Sequence, residues 1–328
     1  MAQNRLSGLI RPGRGFWARR VKRVSVMVAG TVSLALLPTT SVPWLSSGPA
    51  QVASAAGDPV LAAAGDIACA PGSAVSANKC AQKATSDLLV TMQPNAVAAL
   101  GDNQYDSGTL AQFNGAFDPT WGRVKTLIRP AIGNHEIKAD AKASGYYTYF
   151  GAAAGAQGKG YYSYDLGTWH VVVLNGNCGS SGCAAGSAQE QWLKADLAAH
   201  PNYCTLAYWH QPRFSSGNHG SSSLYDPFWR DLYAAGVEVV LNGHDHDYER
   251  FFPQTPTAAR DDAKGIQEFV VGTGGAHFEP MSSVQPNSAL RNQTYGVLKL
   301  TLHAGSWDWQ FVPVAGKTFT DKGTGYCH

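Results

Sequence analysis

The chain lacks several patterns that would assign it to a common class of metal or cofactor protein. It has no Cys-x-x-Cys pair, which argues against zinc-binding thiols, and no His-Glu-x-x-His motif, which argues against a zinc protease. No helical pattern follows the glycine-rich stretch at 272–275, so this stretch is not a dinucleotide-binding loop. Internal repeats and interdomain linkers are also missing. These absences favour one globular domain with a different kind of site.

Acidic residues and long apolar runs are both missing from the first 56 residues. This segment holds seven of the 25 basic residues and no acid. Its apolar stretch, Val24–Leu37, is shorter than the run of about 20 residues that a membrane-spanning helix needs. Small residues follow at 52–56, and this order of parts is typical of a secretory signal peptide. We therefore predict a signal peptide at 1–56 and an extracellular mature domain at 57–328, with a membrane anchor as the alternative.

Without that segment the chain has no surplus of basic charge. Eighteen basic residues remain against 23 acidic ones, a formal charge of about −5. No basic, aromatic-interleaved patch remains that would indicate binding to a nucleic acid. The predicted partner is therefore a small molecule, with no nucleic acid and, after cleavage, no membrane.

All six cysteines lie after residue 56. An even number behind an export signal favours three disulfides, although six cysteines allow many pairings. The pairs favoured by proximity along the chain, with the pair that they leave over, are Cys69–Cys80, Cys178–Cys183 and Cys204–Cys327. Free or metal-binding thiols are the alternative.

Short apolar runs alternate with helical patterns along the mature domain. The alternation predicts an α/β fold, a mixed β-sheet sandwich flanked by helices in a single domain. The predicted strands are 60–64, 96–100, 129–132, 161–166, 169–174, 205–209, 237–241, 269–271, 296–302 and 307–312, and the predicted helices are 79–92, 187–199 and 224–235. We expect residues 138–160 to be a long surface excursion, and Glu249 and Arg250 to pair with each other.

Polar residues that can bind metals follow these apolar runs. Asp66, Asp102, Asn134, His210 and His244 each lie just beyond a predicted strand. Ligands of α/β sheets bind outside the carboxyl ends of the strands, so we expect these side chains to form one site. Carboxylate, imidazole, amide and phenolate ligands suit cations such as Fe, Zn or Mn. Two such ions roughly 3.5–4 Å apart can promote an in-line displacement at phosphorus.

The motifs Gly-Asp, Gly-Asp-x-x-Tyr, Gly-Asn-His-Glu, His and Gly-His-x-His together resemble those of the calcineurin-like metallophosphoesterases, and within them the purple acid phosphatases. Most of that superfamily begins with Asp-x-His, whereas Asp66 is followed by Ile67 and Ala68, and Tyr105 takes the place of the lost histidine ligand. The segment Gly243–Arg250 also resembles the Gly-His-x-His-x-Tyr-Glu-Arg motif of that branch. The layout is similar to a secreted bacterial member without the N-terminal β-domain of the plant proteins.

The resemblance implies a metal-dependent phosphoric ester hydrolase that cleaves phosphomonoesters by attack of a metal-bound hydroxide. It implies two metal ions, Fe(III) together with Zn, Mn or Fe(II). The ligands carried over for Fe(III) are Asp66, Asp102, Tyr105 and His246. The ligands carried over for the second ion are Asp102, Asn134, His210 and His244, with Asp102 as the bridge.

Two further histidines match positions that contact the substrate in the family. His135 is implied to bind the phosphate and to protonate the leaving group. His219 matches a substrate-orienting histidine, although Gly220 stands where the family often has a second one. A phosphodiesterase or nucleotidase using the same site is one alternative. The other is a secreted protein that binds metal or phosphate without catalysis, and a leaving-group acid at His135 argues against it.

Overall fold

Two mixed β-sheets lie at the centre of the computed structural model, which describes residues 57–201 and 204–328. The predicted signal peptide therefore lies outside the described residues. The strands are β1 Val60–Ala64, β2 Ala96–Ala99, β3 Ile128–Pro130, β4 Tyr162–Leu166, β5 Trp169–Val173, β6 Cys204–Tyr208, β7 Val239–Asn242, β8 Tyr248–Phe251, β9 Gln267–Val271, β10 Ser288–Asn292, β11 Gly296–Leu302, β12 Ser306–Pro313 and β13 Lys322–Tyr326. One sheet has the order β13-β12-β11-β1-β2-β3, and the other has the order β10-β8-β9-β7-β6-β5-β4.

The helices are short and lie around the sheets. They are α1 Gln82–Met92, α2 Leu110–Gln112, α3 Ser144–Phe150, α4 Cys178–Ser181, α5 Ala188–Ala199 and α6 Asp226–Ala234. A π-helical turn, Phe113–Phe117, and the 3-10 turns Trp121–Leu127, Gly151–Ala154 and Ser223–Tyr225 complete the helical segments that the structure describes. The α/β sandwich predicted from the sequence is confirmed.

Each sheet combines parallel and antiparallel pairs. In the first, β1, β2 and β3 run parallel and β11 pairs antiparallel with β1. In the second, β5, β6, β7 and β9 run parallel, and β4 and β8 pair antiparallel with β5 and β9. Because neighbouring parallel strands end on the same edge, the loops after β1, β2 and β3 are brought together, as are those after β6 and β7.

The core forms on both faces of the second sheet. One cluster joins the two sheets, with Leu61 and Leu300 on one side and Leu206 and Val271 on the other, all fully buried. A second cluster lies between the outer face of the second sheet and helices α5 and α6. Each fully buried large apolar side chain contributes about 1.5–3 kcal/mol. The packed core therefore stabilises the sandwich that carries the loops at its edge.

Residues 138–160 are only in part the surface excursion that the sequence suggested. They contain α3, in which Tyr146 and Phe150 are buried, and Tyr146 Oη donates to the carbonyl of Pro130 at 2.8 Å. Phe150 and Tyr149 pack on the ring of Phe113. The glycine and alanine content hid an aromatic stripe with helical spacing, which places these rings on the core side.

The expected Glu249–Arg250 pair is also wrong. Both residues lie in β8, where successive side chains point to opposite faces. Arg250 Nε instead donates to Asp321 Oδ2 at 2.6 Å, and Glu249 accepts hydrogen bonds from Ser216.

The three expected disulfides, two favoured by proximity and the third left over, are confirmed. The structure pairs Cys69–Cys80, Cys178–Cys183 and Cys204–Cys327. The last pair joins the first residue of β6 to the C-terminal segment. Within the described ranges, no helix has both the length and the apolar character needed to cross a bilayer.

Candidate metal centre

The predicted ligands lie in loops that leave the strand ends of both sheets. Asp66 follows β1, Asp102 follows β2 and Asn134 follows β3, while His210 follows β6 and His244 follows β7. The backbone joins these loops: Asp66 N–H donates to the carbonyl of Gly101, and Gly243 N–H donates to the carbonyl of His210. The site is thus built where the edges of the two sheets meet.

The first group of ligand atoms surrounds the hydroxyl of Tyr105. This oxygen lies 2.8 Å from Asp66 Oδ1, 3.3 Å from Asp102 Oδ2 and 3.0 Å from His246 Nε2. His246 Nε2 is in turn 3.2 Å from Asp66 Oδ1. All four side chains are buried. The structure therefore brings together the four residues carried over for the first ion.

The second group surrounds His210 Nε2. This nitrogen lies 3.2 Å from Asp102 Oδ2 and 3.2 Å from His244 Nδ1. Ligand atoms of Asp102, His210 and His244 all lie within 4.8 Å of one another. Since Asp102 Oδ2 belongs to both groups, this carboxylate is placed to bridge two ions.

Asn134 shows most directly that the residues present fit a cation. Its Oδ1 is buried and has no hydrogen-bond partner in the protein. The next residue, His135, donates its backbone N–H to Asp102 Oδ1 at 2.8 Å, which places Asn134 beside the bridging carboxylate. A buried amide oxygen without a partner costs about 1–3 kcal/mol. A metal ion at the second group would remove that cost.

The backbone is strained at three of the candidate ligands. Asp66, Asp102 and His244 have φ angles of 59°, 46° and 72°, in the left-handed region that few residues other than glycine adopt. Conformations of this kind cost of order 1–3 kcal/mol each and concentrate at functional sites. The fold therefore favours ligand placement over local backbone preference at these positions.

Hydrogen bonds to backbone carbonyls orient two of the histidines. His210 Nδ1 lies 2.9 Å from the carbonyl of Leu100, and His246 Nδ1 lies 2.5 Å from the carbonyl of His277. Each contact leaves Nε2 facing the cluster. Metal-binding histidines are usually fixed in this way by a partner on the other ring nitrogen.

Charges in the cluster strongly influence one another. Burial opposes ionisation of Asp66 and Asp102, yet the pKa of each carboxyl lies below its usual value because His246 faces Asp66 and His210 faces Asp102. Burial likewise opposes charging of the histidines, but the carboxylates raise the pKa of His210 to about 10 and that of His246 to about 9. Burial, together with the charge on His210, lowers the pKa of His244 to about 3. The carboxylates of Asp66 and Asp102 therefore favour positive charge between the two ligand groups.

His135 and His219, the two candidates for substrate contact, both lie beside the candidate ligands. The ring of His135 is 4.3 Å from that of Tyr105, its Nδ1 is 2.7 Å from the carbonyl of Asp106, and its side chain is 21% exposed. The ring of His219 stacks on His244 at 4.2 Å. Both imidazoles thus border the candidate metal centre, and both reach solvent.

Three carboxylates that support the site were not identified from the sequence. Glu136 accepts the N–H groups of Gly133 and Gln104, and so joins two ligand loops. Asp245 accepts from the N–H of His219 at 2.7 Å and from Ser215 Oγ at 2.5 Å. Glu279 Oε2 lies 3.1 Å from His219 Nε2. Glu136 and Asp245 could have been found from the sequence, because they lie inside the Gly-Asn-His-Glu and Gly-His-x-His motifs. No sequence signal indicates Glu279.

Comparisons with known proteins give a family match and several relatives. The sequence pattern of the calcineurin-like phosphoesterase family matches residues 60–248, more than half of the chain. Purple acid phosphatase 15 of Arabidopsis thaliana is 30% identical over 148 residues, which are 40% of this chain and 27% of that protein. The probable inactive purple acid phosphatase 27 of the same plant is 27% identical over 259 residues, 66% of this chain and 41% of that protein.

A solved purple acid phosphatase from yellow lupin (Lupinus luteus) seeds has a similar fold. The TM-score is 0.67 at 18% identity, and the match covers 81% of this chain and 53% of that one. At this identity the likeness establishes the fold alone. The chain covers less than two thirds of the length of each of these three proteins.

Proposed function

The chain belongs to the calcineurin-like phosphoesterase family, and from that premise we propose that it is a secreted two-metal phosphatase that hydrolyses phosphomonoesters. The observation that carries the proposal is the sharing of Asp102 between the two ligand groups. The purple acid phosphatases among its relatives support the same activity. Small phosphoesters are the proposed substrates, rather than nucleic acids or membranes.

The proposed ligand sets follow the two groups described above. The first ion, proposed as Fe(III), would be held by Asp66, Asp102, Tyr105 and His246. The second, proposed as Zn, Mn or Fe(II), would be held by Asp102, Asn134, His210 and His244. The partnerless Oδ1 of Asn134 and the mixed oxygen and nitrogen donors support this assignment.

When bound, the two ions would stabilise charge on the phosphoryl oxygens and acidify water. The chain's own residues perform the remaining tasks. His135 donates from Nδ1 to the carbonyl of Asp106, which leaves Nε2 to bind the phosphate and to pass a proton to the leaving oxygen. His219 orients the phosphate. Asp245 accepts the backbone N–H of His219 and Glu279 contacts its ring, so these two carboxylates hold His219 in place.

The first experiment compares hydrolysis of p-nitrophenyl phosphate and bis-p-nitrophenyl phosphate by the purified protein, with bound metals quantified on the same sample. Faster turnover of the monoester with about two metals per chain, the number that a two-metal clamp requires, is the expected result. Preference for the diester would keep the centre and replace the proposed activity by that of a phosphodiesterase.

The identity of the first ion is tested by Tyr105→Phe. If Fe(III) binds there, the phenolate ligand gives the protein visible absorption, and the substitution removes it. Tyr146→Phe is the matched control, because Tyr146 is equally buried but bonds to Pro130 away from the ligands. A colourless, fully active wild-type protein without iron would assign other metals to both positions.

A non-catalytic role is the second candidate. One relative is described as a probable inactive purple acid phosphatase, which supports keeping this alternative. Two bound metals without turnover of either ester would favour this alternative.

Secretion is supported by the three disulfides, which are typical of proteins in oxidising compartments. N-terminal sequencing of the protein from the culture medium is expected to begin near residue 57. An intact N-terminus in a membrane fraction would contradict cleavage.

A further inference from the structure

A cavity of about 510 Å³ lies beside loops that carry candidate metal ligands. Its lining includes Ile137, two residues after His135, and Gln211, directly after His210. Asn177, also in the lining, donates from Nδ2 to the carbonyl of Gly133 at 3.1 Å. The wall of the cavity is thus continuous with the loops that carry the ligands of the second ion.

The lining is uncharged. Among the described residues that form it, none is acidic or basic. Ile137, Leu224 and the ring of Tyr225 supply apolar surface, and Leu224 is 62% exposed. The hydroxyl of Tyr225 is already used, because it donates to the carbonyl of Gly176 at 2.9 Å. A ligand in this cavity would therefore meet an apolar wall with amide groups.

One polar atom in the lining lacks a partner. Gln211 Oε1 is buried and accepts no hydrogen bond from the protein. The backbone of the same residue is fixed, since Asn242 Nδ2 contacts the carbonyl of Gln211 at 3.4 Å and that of Trp209 at 2.9 Å. Gly176 leaves room for the side chain, because a Cβ at that position would collide with Gln211 Oε1. Gln211 therefore forms a rigid part of the wall, with its Oε1 enclosed against Gly176.

We propose that this cavity binds the leaving group of the substrate, and that this group is uncharged and apolar. The inference rests on the proposed phosphatase function and narrows its substrates to monoesters of neutral alcohols or phenols. An anionic leaving group would enter a cavity whose described lining has no cation to pair with it. Examples are the nucleoside diphosphate released from a nucleoside triphosphate and the phosphate released from pyrophosphate. Burying an unpaired charge is costly, so such substrates are disfavoured.

Binding of two non-hydrolysable phosphonates tests the cavity directly. Phenylphosphonate and methylphosphonate carry the same charged group, but only the first has a ring to bury. Calorimetry on the metal-loaded protein is expected to show about tenfold tighter binding of phenylphosphonate, because burying an aromatic ring is favourable. Equal affinities for the two would overturn the proposal.

Leu224→Lys adds a charge to the cavity through a side chain that is largely exposed, so the fold is retained. The variant is expected to lose most of the preference for phenylphosphonate and to bind 2-carboxyethylphosphonate more tightly than wild type. Val90→Lys is the matched control, because Val90 is also exposed but lies on α1, outside the lining. Identical selectivity in the two variants would overturn the proposal.

Turnover separates this inference from the function on which it rests. Wild type is expected to hydrolyse phenyl phosphate faster than pyrophosphate, and Leu224→Lys is expected to narrow that ratio. Hydrolysis of both substrates at equal rates would support the phosphatase activity and refute the proposal that the cavity binds the leaving group. If neither substrate is hydrolysed but phenylphosphonate still binds more tightly than methylphosphonate, the proposed phosphatase activity is refuted and the cavity is retained as a binding site.

Discussion

Two clusters of histidines and carboxylates in this protein share a composition and differ in almost everything else. One is the candidate metal centre. The other, here termed the hairpin cluster, consists of Asp165, His170, Asp196 and His200. In each, ligand atoms of three such residues lie within 4.8 Å of one another. Composition and proximity therefore do not distinguish a metal centre from a structural ion pair.

Hydrogen-bond satisfaction distinguishes them. In the hairpin cluster both ring nitrogens of His170 have partners, Asp165 and Asp196, each at 2.9 Å. The ring of His200 stacks on that of His170 at 3.7 Å with an interplanar angle of only 12°, so the two rings do not point at a common centre. In the candidate metal centre, by contrast, Asn134 Oδ1 has no partner and three candidate ligands have strained backbones. The hairpin cluster thus fastens the β4–β5 hairpin to α5.

The largest effect is expected from His210→Ala. If His210 is a ligand, its loss would remove the proposed second ion, and with it several kcal/mol of transition-state stabilisation, so kcat/KM should fall at least about 10³-fold. Metal analysis and kinetics on one sample provide the measurement. Full activity with both metals retained would show that His210 is not a ligand.

The covalent link between β6 and the C-terminus provides a comparison that involves neither cluster. Replacing Cys204 and Cys327 together by serine is expected to lower the free energy of unfolding by about 2–5 kcal/mol. The metal content should not change, because the disulfide lies at the opposite end of β6 from His210. Chemical denaturation measures the effect, and an unchanged midpoint would mean that this disulfide does not stabilise the fold.

His170→Ala is expected to reverse the pattern of His210→Ala, with activity retained and stability lowered by about 1–3 kcal/mol, because two carboxylates lose their buried donor. The matched control is His303→Ala. His303 also lies between two carboxylates, Asp58 and Asp308, but at the surface, where such contacts contribute little. Equal thermal shifts in both variants would contradict a structural role for the hairpin cluster.

The smallest expected effect is a pH dependence of stability. Burial alone would lower the pKa of His170, but Asp196 and Asp165 outweigh it and raise the pKa above its usual value. The resulting stabilisation is fully present below about pH 6.5, the pKa of an unfolded histidine, and is lost as the pH rises through the higher folded value. Unfolding curves of wild type and His170→Ala should converge over that rise. Parallel curves would show that His170 does not titrate differently in the two states.

The grouping of the candidate ligands could be predicted from the sequence because each lies within a few residues of an apolar strand, and all but His210 also closely follow a glycine. Asp102 and His244 have this local signature. Glu279 does not, since its contact with His219 depends on how two distant loops fold over the site. The helix at 144–150 was missed for a related reason: Tyr149 packs on the rings of the π turn at 113–117, and this contact is not visible in the local sequence. Local pattern predicts element ends, whereas packing between loops depends on tertiary context.

The left-handed backbone at Asp66, Asp102 and His244 limits which substitutions can be interpreted. Alanine at Asp66 or Asp102 would keep the cost of the left-handed backbone, about 1–2 kcal/mol, and would lose both the candidate ligand and the hydrogen bond that its carboxylate accepts, so a failed fold and a lost metal would look alike. Asparagine tolerates this conformation and keeps nearly the shape of aspartate. Related proteins that abandon catalysis by gradual substitution should accordingly carry asparagine or glycine at these three positions more often than alanine.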